Sequence, residues 1–203
     1  MISGLQSVNN GVWGTKWENS LWLAGKELSG SVIGIVGLGR IGLATAKRLK
    51  AFEPSRLVYC GNSPKQAGAD IGAEFVNFEE LLSISDFVIA TCAITPATTG
   101  LFDKKAFSLM KNDAIFINVT RGQLVDQEAL YEALTTRGIG AAGLDVTTPE
   151  PLPTNHKLLS LPNCTVTPHL GSATTVTRNA MCDLTVDNIL AGLNGQPLST
   201  PAY

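Results

Sequence analysis

An apolar, mostly β-branched run, Ser31-Val32-Ile33-Gly34-Ile35-Val36, leads directly into Gly37-Leu38-Gly39-Arg40-Ile41-Gly42. The first segment is continuous rather than alternating, which is the pattern of a strand buried on both faces. The second is G-x-G-x-x-G, a motif that is informative only where it closes a strand and opens a helix, as here. Gly37 permits the tight turn, Gly39 lets a pyrophosphate approach the backbone, and Gly42 lets helix and strand pack closely. The free N–H groups and positive dipole end of the helix favour phosphate. Gly37, Leu38, Gly39, Arg40, Ile41 and Gly42 are therefore the candidate residues for binding a dinucleotide.

The remaining chain continues the alternation. Strand-like runs are expected at 57–60, 87–91, 114–118, 141–146 and 164–167, with helices at 41 to about 51, 78–82, 103–110 and 126–136. Asp126 is the expected N-cap of the last of these. Strands alternating with helices argue an α/β fold, a doubly wound parallel sheet. A helix over 174–193 follows, with Val176, Ala180, Met181, Leu184, Ile189, Leu190 and Leu193 expected to form one apolar stripe. It comes after the sheet is complete, so its partner is expected outside the sheet. The expected organisation is an arm over 1–30, a dinucleotide-binding domain over 31–172, and a helix and tail over 173–203.

The residue that selects the cofactor is expected about 20 positions beyond the glycine turn, at the end of the second strand, where an NAD enzyme carries Asp or Glu. This chain reads Gly61-Asn62-Ser63-Pro64-Lys65, with no acid. The missing carboxylate removes repulsion against a 2′-phosphate, Asn62 and Ser63 can donate hydrogen bonds to one, and Lys65 adds a positive charge. NADP is favoured, with NAD the alternative.

Three other segments each follow a strand-like run: Asn118-Val119-Thr120-Arg121-Gly122, then Asp145-Val146-Thr147-Thr148-Pro149-Glu150-Pro151, then Thr167-Pro168-His169-Leu170-Gly171-Ser172. The carboxyl ends of strands in an open parallel sheet face one crevice, so Arg121, Glu150 and His169 are candidates to converge there. A fixed cation, a carboxylate and an imidazole are the parts needed to reduce a 2-keto acid. The cation holds the substrate carboxylate, the imidazole moves a proton, and the carboxylate tunes the imidazole. His156 lies in a polar loop and is expected to be exposed, without a role.

A net charge of -2 gives no electrostatic footprint for nucleic acid or an anionic membrane. No long apolar span or secretory signal is visible, so neither a nucleic acid nor a membrane is an expected partner, and a cytoplasmic location is expected. Cys60, Cys92, Cys164 and Cys182 have no metal-binding spacing and are expected to be buried, reduced thiols. No metal site is expected.

The combined pattern resembles the D-isomer-specific 2-hydroxyacid dehydrogenases along nearly all of the chain. The likeness is densest in the glycine turn, over 117–125, over 141–159 with its run from Asp145 to His156, and over 168–180. It implies NAD(P)H-dependent reduction of glyoxylate or hydroxypyruvate to the D-2-hydroxy acid, glycolate or D-glycerate. In that case Arg121 grips the substrate carboxylate, and Glu150 and His169 are the acid–base pair. Asp145 lies near the nicotinamide carboxamide, Val119 and Ala93 line the cofactor, Gly171 serves cofactor and substrate, and Leu170 and Ser172 border the substrate. The chain departs from the pattern at Asn62, where an arginine would grip the 2′-phosphate. It departs again at the front, where family members place about a hundred residues of substrate domain before the glycine turn. The resemblance thus implies a nucleotide domain, a linker arm carrying Trp13, Trp17 and Trp22 that serves a homodimer, and a return helix meant for the largely missing substrate domain. Trp17 is a candidate to cap a neighbour's active site. A fragment, a short isoform and a misread gene all fit. Two inactive alternatives stand beside the enzyme: a truncated form that only binds dinucleotide, and a corepressor-like module of the same family.

Overall fold

The computed structural model describes residues 7–13, 15 and 24–201. Trp17 and Trp22, and with them most of the expected arm, lie outside the described residues. The chain divides into two compact units, Met1–Pro168 and His169–Tyr203.

The first unit is a seven-stranded sheet in the order β3-β2-β1-β4-β5-β6-β7, every pairing parallel. Its strands are β1 Val32–Val36, β2 Arg56–Cys60, β3 Glu74–Phe75, β4 Phe87–Ala90, β5 Ile115–Asn118, β6 Ala141–Leu144 and β7 Cys164–Val166. The helices are α1 Arg40–Leu49, α2 Gln66–Ala69, α3 Phe78–Ile84, α4 Lys104–Leu109 and α5 Gln127–Thr135. This is the doubly wound parallel fold that the alternating sequence predicts.

Side chains of successive strand residues point to opposite faces, and the sheet has a core on each. Val36, Val58, Val88 and Phe116 join Leu81, Phe107 and Leu130 from α3, α4 and α5 on one face. Ile33, Ile35, Tyr59 and Ile89 join Ala46 of α1 on the other. Phe102 lies 4.6 Å from Phe116, ring centre to ring centre, and Phe107 meets Phe116 edge-on at 5.4 Å. Because both faces are covered, β1 and β4 carry no polar side chain, which is why they read as unbroken apolar runs.

The helix starts follow local chemistry. The Asp126 side chain accepts hydrogen bonds from the N–H groups of Glu128 (2.9 Å) and Ala129 (3.1 Å), the cap its position predicts. Asp103 and Asn77 cap α4 and α3 in the same way. At the amino edge of the sheet, Asp86 accepts from the Val32 N–H at 2.8 Å and pairs with Lys26 (2.8 Å) and Lys111 (3.0 Å). Lys26 also reaches Asp113 at 2.8 Å, so the segment entering β1 is pinned to the sheet by charge.

The second unit contains α6, Thr175–Leu193, capped by the Thr174 hydroxyl, which accepts from the Thr177 N–H at 3.1 Å. The expected single stripe is not present. At 3.6 residues per turn, Val176, Ala180 and Leu184 fall on one side, while Val186, Ile189 and Leu193 fall roughly opposite. None of the helix is buried, and Val176 and Leu193 are each 80% exposed. The tail folds back onto the helix at Asn188, whose Oδ1 accepts from the Ser199 and Thr200 N–H groups at 3.0 and 3.3 Å. No helix among the described residues is long and apolar enough to cross a membrane.

Candidate active site

In strand order β3-β2-β1-β4, chain direction across the sheet reverses between β1 and β4, and the crevice of such a fold opens at their carboxyl ends. The glycine turn occupies this point. Gly37 has a φ of +98°, and a Cβ on it would stand 2.6 Å from the Cys92 Cα on the neighbouring strand end, so no side chain fits. A Cβ on Gly42 would stand 2.2 Å from the Gly37 carbonyl oxygen and 2.7 Å from the Thr91 hydroxyl. That hydroxyl donates to the Gly37 carbonyl at 2.7 Å, tying the turn to β4. Gly39, the N-cap of α1, faces open space, and the α1 N-terminus has no side-chain cap and no acidic residue. These are the features a pyrophosphate needs: bare backbone, free N–H groups and no competing anion. The residues present therefore fit a dinucleotide. Leu38 turns its side chain into the core, leaving only its backbone for a ligand, while Arg40 and Ile41 are exposed.

An open crevice of about 410 Å³ adjoins the turn. Gly39, Arg40 and Ile41 form one wall, Thr91 to Ile94 after β4 the floor, and Val119, Thr120 and Arg121 after β5 the far wall. The crevice thus gathers the glycine turn, Ala93, Val119 and Arg121 from distant parts of the sequence. Among the described residues, no cluster of three or more His, Cys, Asp or Glu side chains could hold a metal ion.

The Arg121 loop is shaped by Asn118, a fully buried amide that sequence reasoning did not single out. Its Nδ2 donates to the Arg121 carbonyl at 2.9 Å, and its Oδ1 accepts from the Thr120 N–H (3.1 Å) and hydroxyl (2.9 Å). An amide closing an otherwise apolar β-run was the available signal. Arg121 itself is exposed, with Nη1 donating to the Thr120 carbonyl at 2.6 Å.

Glu150 sits on the loop after β6, between two prolines whose preceding peptide bonds are both cis. This loop packs directly on the Arg121 loop. A Cβ on Gly122 would stand 2.1 Å from the Thr147 carbonyl carbon and oxygen. Gln127 at the start of α5 clasps the same loop: its Nε2 donates to the Thr148 carbonyl (2.7 Å) and its Oε1 accepts from the Thr148 N–H (2.8 Å). The Glu150 carboxylate curls back toward the Thr147 N–H at 3.4 Å. Asp145, at the end of β6, accepts from the Thr167 hydroxyl at 2.5 Å, which fixes the carboxylate at the sheet's carboxyl edge.

After β2, Gly61, Asn62, Ser63, Pro64 and Lys65 are all exposed. This loop does not line the crevice between the glycine turn and Arg121. It is joined to the turn through the backbone, since the Gly37 N–H donates to the Cys60 carbonyl at 3.0 Å. His169, Leu170, Gly171 and Ser172 belong to the second unit, where His169 is exposed with a left-handed φ of 54°.

Two expectations need correction. Of the four cysteines only Cys60 is buried; Cys92 and Cys164 are half-buried, and Cys182 on α6 is exposed because that helix has no covered face. All four are free thiols. Burial, with a smaller contribution from the neighbouring Cys92, pushes the Cys60 thiol up to about 12, and burial pushes Cys164 up to about 11. His156 is half-buried rather than exposed, because its Nδ1 caps the short helix Lys157–Ser160 by accepting from the Leu158 N–H at 3.3 Å.

Comparison with known proteins agrees with this geometry. Residues 1–171 match the NAD-binding domain of the D-isomer specific 2-hydroxyacid dehydrogenases. The human glyoxylate reductase/hydroxypyruvate reductase is 52% identical over 195 residues, covering 96% of this chain and 59% of its own length. A crystal structure of a Thermus thermophilus protein superposes with a TM-score of 0.91 at 42% identity, covering all of this chain and 62% of that one. The D-lactate dehydrogenase of Lactobacillus jensenii, solved with NAD+, superposes with a TM-score of 0.85 at 28% identity, covering 98% of this chain and 63% of that one. The chain thus spans about three fifths of the length of the relatives it matches.

Proposed function

The chain belongs to the D-isomer-specific 2-hydroxyacid dehydrogenase family, and from that premise we propose that it is the nucleotide-binding part of an NADP-preferring reductase of glyoxylate and hydroxypyruvate, forming glycolate and D-glycerate. The observation that carries this reading is the backbone contact of Gly122 with Thr147. It sets the loop bearing Arg121 against the loop bearing Glu150, beside a crevice that begins at the glycine turn. The relatives' names point the same way.

The glycine turn and the α1 N-terminus would hold the dinucleotide phosphates, and Ala93, Val119 and Asp145 would border the nicotinamide end. The cofactor, when bound, supplies a hydride to the keto carbon. Arg121 takes the substrate carboxylate in a two-pronged contact that a lysine cannot reproduce. The His169 ring donates a proton to the substrate's carbonyl oxygen. Glu150 partners that ring, orienting it and favouring its charged form. Leu170, Gly171 and Ser172 border the substrate. NADP preference is supported by the absence of any carboxylate over 61–65 and by the exposure of Asn62, Ser63 and Lys65 to an incoming 2′-phosphate.

The domain reading, an arm over 1–30, the nucleotide domain over 31–172 and a helix over 173–203 that packs on a substrate domain, belongs to the same proposal, as does a cytoplasmic homodimer. It is supported by the uncovered apolar residues of α6 and by the exposed Trp13 of the arm. The test is hydroxypyruvate-dependent NADPH oxidation by a chain of the relatives' full length, with glyoxylate and pyruvate as comparison substrates. Turnover of both glyoxylate and hydroxypyruvate supports the reading. Cofactor binding without turnover of either supports an inactive binding module instead.

A further inference from the structure

The loop that would meet the ribose is held at both ends, and the second hold comes from a side chain inside the core. At the front, the Cys60 carbonyl accepts the Gly37 N–H at 3.0 Å, joining the loop to the phosphate-binding turn. At the rear, Lys65 is held by Tyr59. The Tyr59 hydroxyl accepts the Lys65 N–H at 2.7 Å and donates to the Lys65 carbonyl at 3.3 Å. One phenol thus engages both backbone polar groups of one residue, and only 61–64 span the gap between the two holds.

The phenol is well placed for this. Tyr59 is 2% exposed, a residue of β2 with its ring edge-on to Phe75 at 5.4 Å. The ring reaches Lys65 by passing over Gly68, where a Cβ would stand 2.6 Å from a ring carbon. Gly68 therefore leaves the track along which the hydroxyl reaches the loop. A buried tyrosine usually finds a partner for its hydroxyl. Here that partner is the backbone of the charged residue in the ribose loop, not the core.

We propose that Tyr59 is a positioning residue for recognition of the ribose 2′-phosphate, acting through the backbone of Lys65 and never touching the cofactor. The inference rests on the NADP reading above. A 2′-phosphate needs Asn62, Ser63 and Lys65 at fixed places. A bare 2′-hydroxyl makes no such demand on three residues at once. Loss of the latch takes the Tyr59 hydroxyl from the part-buried Lys65 N–H, while the Lys65 carbonyl keeps the Gly68 and Ala69 N–H groups at 2.9 and 3.3 Å, so the loop loses its hold at the amide just ahead of the helix. It leaves the glycine turn, held by Gly37, Thr91 and Cys92, untouched. Affinity for the phosphate-bearing cofactor should fall while affinity for the other stays.

The experiment is titration of the 203-residue chain with NADPH and with NADH by calorimetry or by fluorescence of the reduced cofactor, for wild type and Tyr59→Phe. NADPH should bind about five- to thirty-fold more weakly to the variant, the order of loss expected from unpairing one part-buried backbone N–H, with the NADH dissociation constant changed less than about twofold. Gly68→Ala displaces the ring by a different route and should give the same selective loss. Thermal unfolding of each variant checks that it is folded. Equal losses for both cofactors make Tyr59 a general packing residue and overturn the inference, as does an unchanged NADPH affinity in a folded Tyr59→Phe chain. A wild-type chain that binds both cofactors equally sinks the NADP reading alone, because the selective response to Tyr59→Phe still decides whether the latch serves the 2′-phosphate.

Discussion

Gly122 and Thr147 meet backbone against backbone: a Cβ on the glycine would stand 2.1 Å from the threonine's carbonyl carbon and oxygen. This contact joins the loop that carries Arg121 to the loop that carries Glu150. Neither loop can give way easily, because Asn118 fixes the first from inside the sheet and Gln127 clasps the second at Thr148. Gly122→Ala should therefore destabilise the domain by about 2–3 kcal/mol, the upper part of the overpacking range, since the obstacle is backbone. It should also weaken keto-acid binding more than cofactor binding. Denaturant unfolding and the two dissociation constants check this. An unchanged midpoint would mean that the loops part without cost.

The proposed preference for NADP rests on the absence of an acid over 61–65. The dissociation constant for NADPH should be lower than that for NADH. Asn62→Asp should reverse the order, because a carboxylate repels a 2′-phosphate and accepts from a 2′-hydroxyl. Equal affinities in the wild type would remove the basis of the preference.

The proton-transfer roles are tested in a chain of the relatives' full length. His169→Ala should lower kcat by about 10²–10⁴, the usual worth of general acid catalysis, while the NADPH dissociation constant barely moves. Arg121→Lys should raise KM for hydroxypyruvate and lower turnover, because the ammonium cannot make the two-pronged contact. Gln127→Ala should lower kcat more mildly, by freeing the Glu150 loop at Thr148. A His169→Ala enzyme with near-normal kcat would dismiss the imidazole from proton transfer.

Stability in acid should depend on Asp86. Burial alone raises its carboxyl, but hydrogen bonds from Lys26, the Val32 N–H and Lys111 outweigh that and bring it down to about 2 from the ordinary 3.8. A carboxyl depressed in the folded state contributes stability above its unfolded value, and that contribution is lost as pH falls. The loss should run from about pH 4 to about pH 2 and amount to about 1–2 kcal/mol. Asp86→Asn should show lower stability at neutral pH and a flatter decline below pH 4. Unfolding free energies measured from pH 7 to pH 2 on both proteins test this, and parallel curves would remove Asp86 from the acid response.

The sheet was legible because its strands are buried on both faces, so 31–36 and 87–91 needed no alternation to be read. The glycine turn was legible because Gly37 and Gly42 stand where no side chain fits and Gly39 leaves the backbone bare beside them. β3 was not, because Glu74–Phe75 becomes a strand only by pairing with β2. Gln127 and Tyr59 are not legible in the sequence because each acts on a backbone group that the fold brings to it, whereas Asn118 bonds groups two and three residues along its own loop and its signal is local. Tyr59 reaches six residues along the chain and Gln127 twenty-one. The α6 stripe does not form because its apolar residues, though frequent along the helix, fall at phases that scatter around it.

With Val176 and Leu184 on one side of α6 and Ile189 and Leu193 on the other, the helix offers apolar surface in two directions. A chain of 203 residues presenting both to water should self-associate. Its reduction of hydroxypyruvate should also be a small fraction of that of a chain of the relatives' full length, because positioning between two walls is worth roughly 7–11 kcal/mol of barrier and one wall alone supplies little of it. Sedimentation of the 203-residue chain should show species larger than a monomer. Val176→Glu and Leu193→Glu, made singly, should each reduce association partly, and together more than either. Assay of the sedimented monomer fraction completes the test: a stable monomer with near-full turnover would show that this chain carries a complete catalytic cleft.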